Sequence, residues 1–209
     1  DTYDTDRVYA ADENIRNSTR STDFITPKSH ASRVFRSAVL QLAQHHPFAR
    51  KLVNSGRLSV PSFLLHSTLN TPDTAPFQGR MVPGAPVDDA PLVRDGQPTW
   101  LLDQLGQGFQ LLVFTPDAPL WLTEPGHAAS VAVLAQAPIP VQVCPISTQA
   151  SGAGWCDAAG LAAQRFDAQP GTCVLVRPDQ HVAARWRVFD EQAVQAAVSR
   201  ATAQPLEAA

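Results

Sequence analysis

The sequence has no long hydrophobic run and none of the glycine motifs that hold nucleotide phosphates. No stretch approaches the about 18 consecutive apolar residues that cross a bilayer, so we expect no membrane partner. No Walker loop occurs, and Gly106 and Gly108 precede a strand-like run, whereas a dinucleotide-binding G-x-G-x-x-G follows one. We therefore assign no cofactor-binding residue to this chain.

Cysteine is scarce, and its spacing excludes two classes of protein. Cys144, Cys156 and Cys173 lie 12 and 17 residues apart, and no C-x-x-C occurs. An odd, widely spaced set argues against a disulfide scaffold and against a zinc site. We expect reduced, mostly buried thiols in a cytoplasmic protein, and no metal site.

Motifs for nucleophilic catalysis are also missing. There is no G-x-S-x-G elbow, and the GHAAS segment that contains His127 has only the composition of a helix. His45 and His46 are adjacent, so on a helix they point in different directions and are poorly placed to bind one metal ion. We assign no catalytic residue. No signal-like segment opens the chain. The chain starts at Asp1 without Met, so we expect a processed or excised piece.

The composition is that of a globular chain with an uneven charge distribution. Hydrophobic residues make up 44% and charged residues 17% of the 209 residues, enough for a substantial core. The net charge is −3, yet residues 28–57 contain six basic side chains and no acidic one. A solvated helix face explains this basic segment, and nucleic-acid binding through 28–57 is an alternative. The absence of interleaved aromatic residues and the overall acidity count against nucleic acid.

Residues 1–56 are predicted to be helical. Val8, Ala11 and Ile15 recur at helical spacing over 4–17, but so thin a stripe needs a larger body to pack on. Residues 18–25 are predicted to be extended or a loop, and Thr26-Pro27 to start a second helix. Its predicted inner face, and that of a short third helix, are as follows: Phe35, Ala38, Val39, Leu42 and His46, then Phe48, Ala49, Leu52 and Val53. We place the domain boundary at Gly56.

Residues 57–209 are predicted to form an α/β domain with a mixed sheet and flanking helices. The predicted order is strand, helix, strand, helix, hairpin and helix, which is that of a thioredoxin-like domain. The predicted strands are 62–69, 110–114, 139–146, 172–176 and 181–187, and the predicted helices are 101–105, 126–136, 158–166 and 191–203.

A thioredoxin-like fold raises the alternative of a stand-alone redox protein. That chemistry needs a thiolate of low pKa at the N-terminus of a helix. Cys144 lies in the apolar run VQVCPI, where burial would make it inert, and Cys173 lies in a strand. Cys156 is the one cysteine near a predicted helix start. The redox alternative therefore depends on Cys156 or Cys144.

The stretch CVLVRPDQHVAARW places several polar side chains on one turn. Pro178 and Asp179 suit the central positions of a turn, and the flanking apolar runs suit the two strands of a hairpin. Arg177 and His181 would then face each other across the strands. We interpret Arg177–His181 as the tip of a hairpin and leave any further role open.

Several segments together resemble flavin-dependent aromatic hydroxylases of the phenol and 3-(3-hydroxyphenyl)propionate type. YDTDRVYAADENIRNSTRSTDFITPKS resembles the stretch that closes their FAD-binding and substrate regions. NSGRLSVPSFLLHSTLNTPD, FQGRMVPGAPVDDAPL and VLVRPDQHVAARW resemble their C-terminal domain, which is thioredoxin-like without redox cysteines. The resemblance covers residues 3–186, and GRMVPGAP and the hairpin are its most specific parts.

The resemblance implies the C-terminal part of an NAD(P)H-dependent monooxygenase whose FAD supplies the oxygen chemistry. The family's dinucleotide fold and its later Gly-Asp motif are missing, so no FAD-binding or catalytic residue is carried over. The expected partner is the missing N-terminal FAD-binding domain, against which residues 1–56 would pack. A second copy of the chain is the other expected partner, since the family's C-terminal domain is a packing and sometimes a dimerisation module.

Overall fold

A computed structural model describes residues 2–53, 61–148 and 154–204 of the protein. The chain divides into two compact units, one of residues 3–63 and one of residues 64–209. We call them the helical unit and the sheet unit and describe each by itself. The predicted boundary at Gly56 lies outside the described residues. No helix in the described part of the chain is long and apolar enough to cross a membrane.

The helical unit contains three helices: α1 (Thr2–Ile25), α2 (His30–His45) and α3 (Pro47–Val53). Helix α1 continues through residues 18–25, so the predicted loop there is wrong. No Pro or Gly interrupts α1 before Pro27, and the Thr26 hydroxyl donates back to the carbonyl of Thr22. Helix α2 starts later than predicted, because Ser29 and not Thr26 is its N-cap and accepts a hydrogen bond from the Ser32 amide.

The sheet unit is built on a seven-stranded mixed sheet in the order β2-β1-β5-β4-β3-β6-β7. Its strands are β1 (Pro91–Arg94), β2 (Gln97–Trp100), β3 (Phe109–Thr115), β4 (Val141–Ser147), β5 (Trp155–Cys156), β6 (Cys173–Val176) and β7 (Val182–Trp186). Its helices are α4 (Leu101–Gln104), α5 (Ala118–Thr123), α6 (Pro125–Gln136), α7 (Leu161–Phe166) and α8 (Glu191–Ala201). The predicted α/β class, with a mixed sheet, flanking helices and a helical N-terminal segment, is confirmed.

The central strand β3 is buried along its whole length and organises the sheet. It pairs in parallel with β4 on one side and antiparallel with β6 on the other. Helices α5 and α6 make the crossover from β3 to β4, as a parallel pair requires. The main core cluster includes Leu111 and Val113 of β3, Leu134 of α6 and Val194 of α8. The apolar run that predicted strand 110–114 is therefore buried on both faces of the sheet.

The first part of the sheet unit differs from the prediction. Residues 62–69 form turns and not a strand, because the amides of this segment bond within turns and to Gly84. The β1–β2 hairpin was not predicted. Its turn, Asp95-Gly96, has positive φ at both residues, as a two-residue hairpin turn requires. Helix α5 and the short strand β5 were also not predicted.

Candidate functional site

The tip of the β6–β7 hairpin is a network of polar groups, in which one buried nitrogen of Arg177, Nη1, has no hydrogen-bond partner among the described residues. The Arg177 guanidinium donates to the Asp179 carboxylate at 2.8 Å, and His181 Nδ1 lies 3.1 Å from the Asp179 carbonyl oxygen. The Arg177 amide donates to the His181 carbonyl, which closes the turn. Arg177 and His181 therefore face each other near the turn, and both contact Asp179.

The network fixes the charge state of Asp179. Burial pushes the pKa of this carboxyl upward, but hydrogen bonding from His181 and the positive charge of Arg177 outweigh it and lower the pKa to about 2. The carboxylate is ionised at neutral pH and directed toward its own neighbours. A general acid would need the opposite shift, so the Asp179 carboxyl is not suited to that role.

The GRMVPGAP segment and the hairpin, which carry the most specific part of the resemblance, lie against each other. We call residues 71–88 the strap. Its backbone forms four hydrogen bonds with the hairpin: Thr71 to Ala183, Gly84 to Val182, Val182 to Ala85, and Val87 to Gln180, at 2.8–2.9 Å, each written donor first. The strap therefore runs along the outer edge of β7.

Gly84 is required where the strap meets the preceding turn. Its φ is +89°, and a Cβ atom there would lie 2.4 Å from the Leu64 carbonyl oxygen. Backbone cannot yield as a flexible side chain can, so no larger residue fits without displacing the chain. The second glycine of GRMVPGAP is thus explained by close backbone approach and not by a ligand.

Two arginines of the hairpin anchor the strap through side chains. Arg185 is buried and makes a two-pronged ion pair with Asp73, at 2.9 and 2.6 Å, and also donates to the Met81 carbonyl. Arg187 pairs with Asp167 at 2.5 Å and donates to the Pro76 carbonyl. Both guanidinium carbons lie over the ring of Phe77, at 4.3 and 3.7 Å from its centroid.

Asp167 links α7 to the strap. The Gln78 amide donates to its carboxylate at 2.8 Å. That hydrogen bond and the neighbouring Arg187 hold the pKa of Asp167 below its usual value. The cluster of Asp73, Phe77, Asp167, Arg185 and Arg187 was not predicted from the sequence. One signal was available, since Arg185 interrupts an apolar strand and a buried arginine needs a carboxylate partner.

The three cysteines are buried in strands and are free thiols. Burial raises the pKa of Cys144 and of Cys173 to about 12. Thiols with such pKa values are not nucleophiles at neutral pH. Cys156 lies in β5, five residues before α7 begins, and not at the helix start that redox chemistry requires. The geometry gives no support to the redox alternative.

Two of the basic residues of segment 28–57 cap helices within the helical unit. Arg36 donates to the Ile25 carbonyl at the end of α1, and Arg50 donates to the Ala43 and Gln44 carbonyls near the end of α2. Positive charge at the C-terminus of a helix is favourable because it opposes the helix dipole. These side chains have structural partners, which weakens the nucleic-acid alternative. Arg57 lies outside the described residues.

The apolar stripes predicted in the helical unit are exposed. Val8 and Ile15 of α1 are 52% and 64% exposed, while the half-buried residues of α1 lie on the opposite face. On α2 only Val39 of the predicted inner face is buried, and Phe35 is 60% exposed. The helical periodicity was predicted, but among the described residues the sides of α1 and α2 that it marks as apolar are exposed except at Val39.

Among the described residues, no group of three or more His, Cys, Asp or Glu side chains is placed to hold a metal ion. No protein-family model matches the sequence, and no curated protein matches it. The informative comparison is with solved structures.

Solved structures of at least three enzymes have a fold similar to that of this chain. The flavin-dependent monooxygenase PieE, in complex with FAD and substrate, aligns over 88% of the chain with 24% identity and a TM-score of 0.59. The rebeccamycin biosynthetic enzyme RebC, with reduced flavin, aligns over 96% with 20% identity and a TM-score of 0.57. Aklavinone-11 hydroxylase, with FAD and aklavinone, aligns over 66% with 21% identity and a TM-score of 0.51.

These alignments cover only part of each neighbour. The chain spans 32% of PieE, 36% of RebC and 26% of aklavinone-11 hydroxylase. Identities below 25% support a shared fold and not a shared activity. The chain therefore shares its fold with a segment that makes up 26–36% of each of these three structures.

Proposed function

We propose that this chain is the C-terminal part of a flavin-dependent, NAD(P)H-dependent aromatic-ring monooxygenase of the phenol and 3-(3-hydroxyphenyl)propionate type. The sheet unit is a thioredoxin-like packing or dimerisation module without a catalytic site of its own. FAD and NAD(P)H bind to the rest of the parent enzyme, and the whole acts in the cytoplasm. The observation that carries the proposal is the fold similarity to three flavoenzymes of which the chain spans about a third.

The chemistry of the sheet unit supports a packing role. Its thiols are buried, and the pKa values of Cys144 and Cys173 are raised to about 12. The polar residues at the hairpin tip are directed at one another, and those of the strap anchor backbone. These side chains are used for structure, which agrees with an enzyme whose oxygen chemistry is supplied by a flavin bound elsewhere.

The helical unit supports docking on a missing flavoprotein body. Apolar side chains on a protein surface are normal when single, but contiguous stripes mark interaction surfaces. Val8 and Ile15 lie two turns apart on one side of α1, and Phe35 and Leu42 lie two turns apart on α2. We propose that the FAD-binding body covers both stripes.

The first test is an absorbance spectrum of the purified chain, before and after mixing with excess FAD and desalting. We expect no retained flavin band, near about 450 nm, because the chain lacks a phosphate-binding glycine loop. A retained stoichiometric flavin would overturn the proposal. The complementary test is to express the native gene together with the coding sequence that precedes Asp1. We expect a yellow protein that oxidises NAD(P)H when a phenol is added, and a colourless product would contradict us.

The two alternatives have tests of their own. A stand-alone redox protein predicts rapid labelling of Cys144 or Cys156 by a thiol reagent at neutral pH, whereas we expect all three thiols to react only after unfolding. A nucleic-acid binder predicts an affinity for an oligonucleotide that falls steeply as salt is raised. We expect no binding at physiological salt.

A further inference from the structure

Helix α1 has the length of a stable helix but not the composition of one. It runs for 24 residues, and only six of them are strong helix formers: Arg7, Ala10, Ala11, Glu13, Arg16 and Arg20. In residues 17–23, six of the seven side chains are Asn, Ser, Thr or Asp, whose polar groups compete for the hydrogen bonds of the backbone. The local sequence there favours a loop, so something other than local preference selects the helix.

Packing in the described structure does not supply the missing stability. No residue of α1 is buried. Its apolar side is exposed, with Val8 at 52% and Ile15 at 64%. Helices in proteins are stabilised mainly by burying an apolar face, so α1 gains little free energy from the packing that it has. The half-buried side of α1 is mostly polar and comprises Thr2, Asp6, Ala10, Glu13, Asn17, Ser21 and Phe24.

Helix α8 shows the opposite combination of length and burial. It has 11 residues, fewer than half as many as α1, yet Val194, Ala197 and Val198 are buried in the core cluster of the sheet unit. Asp190 caps its N-terminus by accepting a hydrogen bond from the Ala193 amide. Because α8 is short but well packed, it serves as an internal control for α1, which is long but not packed on its apolar side.

The alignment with RebC indicates where a covering surface would come from. It takes in 96% of this chain, so it reaches well into α1, yet it accounts for only 36% of RebC. The fold that contains α1 therefore also occurs in a protein whose remaining part this chain lacks. That remaining part corresponds to the FAD-binding body of the proposed function.

We propose that α1 is helical only while the FAD-binding body covers its apolar side, so that α1 folds as it docks. The inference rests on the proposed function, which identifies that body as the missing part. The surface that receives Val8 and Ile15 is apolar, because the burial of these side chains has to offset the conformational entropy that the segment loses on becoming helical. Without the body, residues 2–25 are a docking segment that lacks a stable helix.

Hydrogen exchange of the purified chain is the first test. In an α-helix each amide from the fifth residue onward donates within the helix, so the amides of residues 6–25 report on whether α1 is formed. We expect them to exchange within about tenfold of the rate of an unstructured peptide. The amides of Val198 in α8 and Leu112 in β3 should exchange at least about a thousandfold more slowly than that rate. Protection of α1 as strong as that of Val198 would overturn coupled folding and leave the proposed function standing.

The second test uses the parent protein, expressed with the coding sequence that precedes Asp1. There we expect the α1 amides to exchange at least about a hundredfold more slowly than in the isolated chain. Val8→Asp should abolish that slowing, because it places a charge on the side to be covered. Asn14→Asp is the matched control, because it adds the same charge to the same helix at an exposed position away from Val8 and Ile15. It should leave the exchange of α1 as in wild type.

The outcomes separate this inference from the proposed function. A parent that binds flavin, and whose V8D variant keeps the wild-type exchange of α1, would overturn coupled folding alone. Loss of the slowing in both V8D and N14D would show that any added charge unfolds α1, and would overturn the assigned side. A parent that binds no flavin would overturn the proposed function, and with it the covering body named here.

Discussion

The helical unit and the sheet unit use apolar residues in opposite ways. In the sheet unit, whole strands are buried, and the core cluster joins β3, α6 and α8. In the helical unit, the buried hydrophobic residues among those described are Val39 and Ala49. Its exposed large hydrophobic residues are Tyr3, Val8, Tyr9, Ile15, Ile25, Val34, Phe35, Leu40, Leu42, Phe48, Leu52 and Val53.

The difference shows that apolar periodicity predicts where a helix forms more reliably than it predicts whether the apolar side of that helix is buried. The apolar stripes of α1 and α2 have the spacing of packed helices, yet the packing they need is not provided within the helical unit. In the sheet unit, most apolar strand residues have their packing partners within the same unit. Stability should therefore reside in the sheet unit.

Truncating a phenylalanine should have very different effects in the two units. Phe114 is 1% exposed and packs on Phe166 with ring centroids 5.8 Å apart. Phe114→Ala should cost about 3–5 kcal/mol, because it leaves a cavity in the core. Phe35→Ala should cost less than about 0.5 kcal/mol, because this ring is exposed. Urea unfolding of both variants measures the free energies, and equal losses would contradict the contrast.

Removing a guanidinium should likewise reduce the free energy of unfolding more in the sheet unit than in the helical unit. Arg185→Ala leaves Asp73 without its partner beside a buried site, so we expect a loss of about 3 kcal/mol. Arg50→Ala removes exposed hydrogen bonds to helix carbonyls, and we expect about 0.5 kcal/mol. Chemical denaturation of the two variants is the measurement. A loss for Arg50→Ala as large as for Arg185→Ala would mean that helix capping holds the fold together.

Within the sheet unit, two glycines test how closely the strap is packed. Gly84→Ala would place a Cβ against backbone at positive φ, and we expect a loss of about 2–3 kcal/mol. Gly96→Ala has a similar φ, +79°, but no atom within 4 Å of the added Cβ, so it should lose about 1 kcal/mol or less. Thermal unfolding compares the two. A smaller loss for Gly84→Ala would mean that the strap shifts easily.

The smallest expected effect is on how the free energy of unfolding depends on pH in acid. The pKa of Asp179 is lowered from 3.8 to about 2, so its ionised form stabilises the fold. That contribution is fully present above pH 4 and is lost as the pH falls through about 2. Asp179→Asn should therefore reduce unfolding free energy at pH 6 and leave it nearly unchanged at pH 2. Urea titrations at both pH values test this, and an equal loss at each would contradict it.

Much of the sheet unit was predictable from local patterns. The runs around Leu112, Cys144 and Val174 are apolar and short, and each became a buried strand. The hairpin tip followed from Pro178 and Asp179, whose turn chemistry is local. The β1–β2 hairpin was not predicted although Asp95-Gly96 is a strong turn signal, because its strands are only four residues long and each contains a proline, which weakens the strand pattern.

The strap could not be predicted, because its contacts are remote in sequence. Asp73 and Arg185 are 112 residues apart. The sequence around each residue does not reveal its partner, apart from the unusual position of an arginine in an apolar strand. The exposure of the α1 stripe was likewise beyond local patterns. Val8, Ala11 and Ile15 mark a face, but only three-dimensional structure says whether anything lies against it.

The separation between Asp73 and Arg185 has a consequence for biosynthesis. A ribosome makes the strap more than a hundred residues before it makes the strand that the strap covers. During that interval the strap segment has no strand β7 to pair with. Closing so long a loop is also slow compared with forming the local β6–β7 hairpin. The edge of a newly made β7 is therefore uncovered until the strap arrives. Crowded polysomes, where nascent copies lie side by side, are where mispairing between chains would arise first.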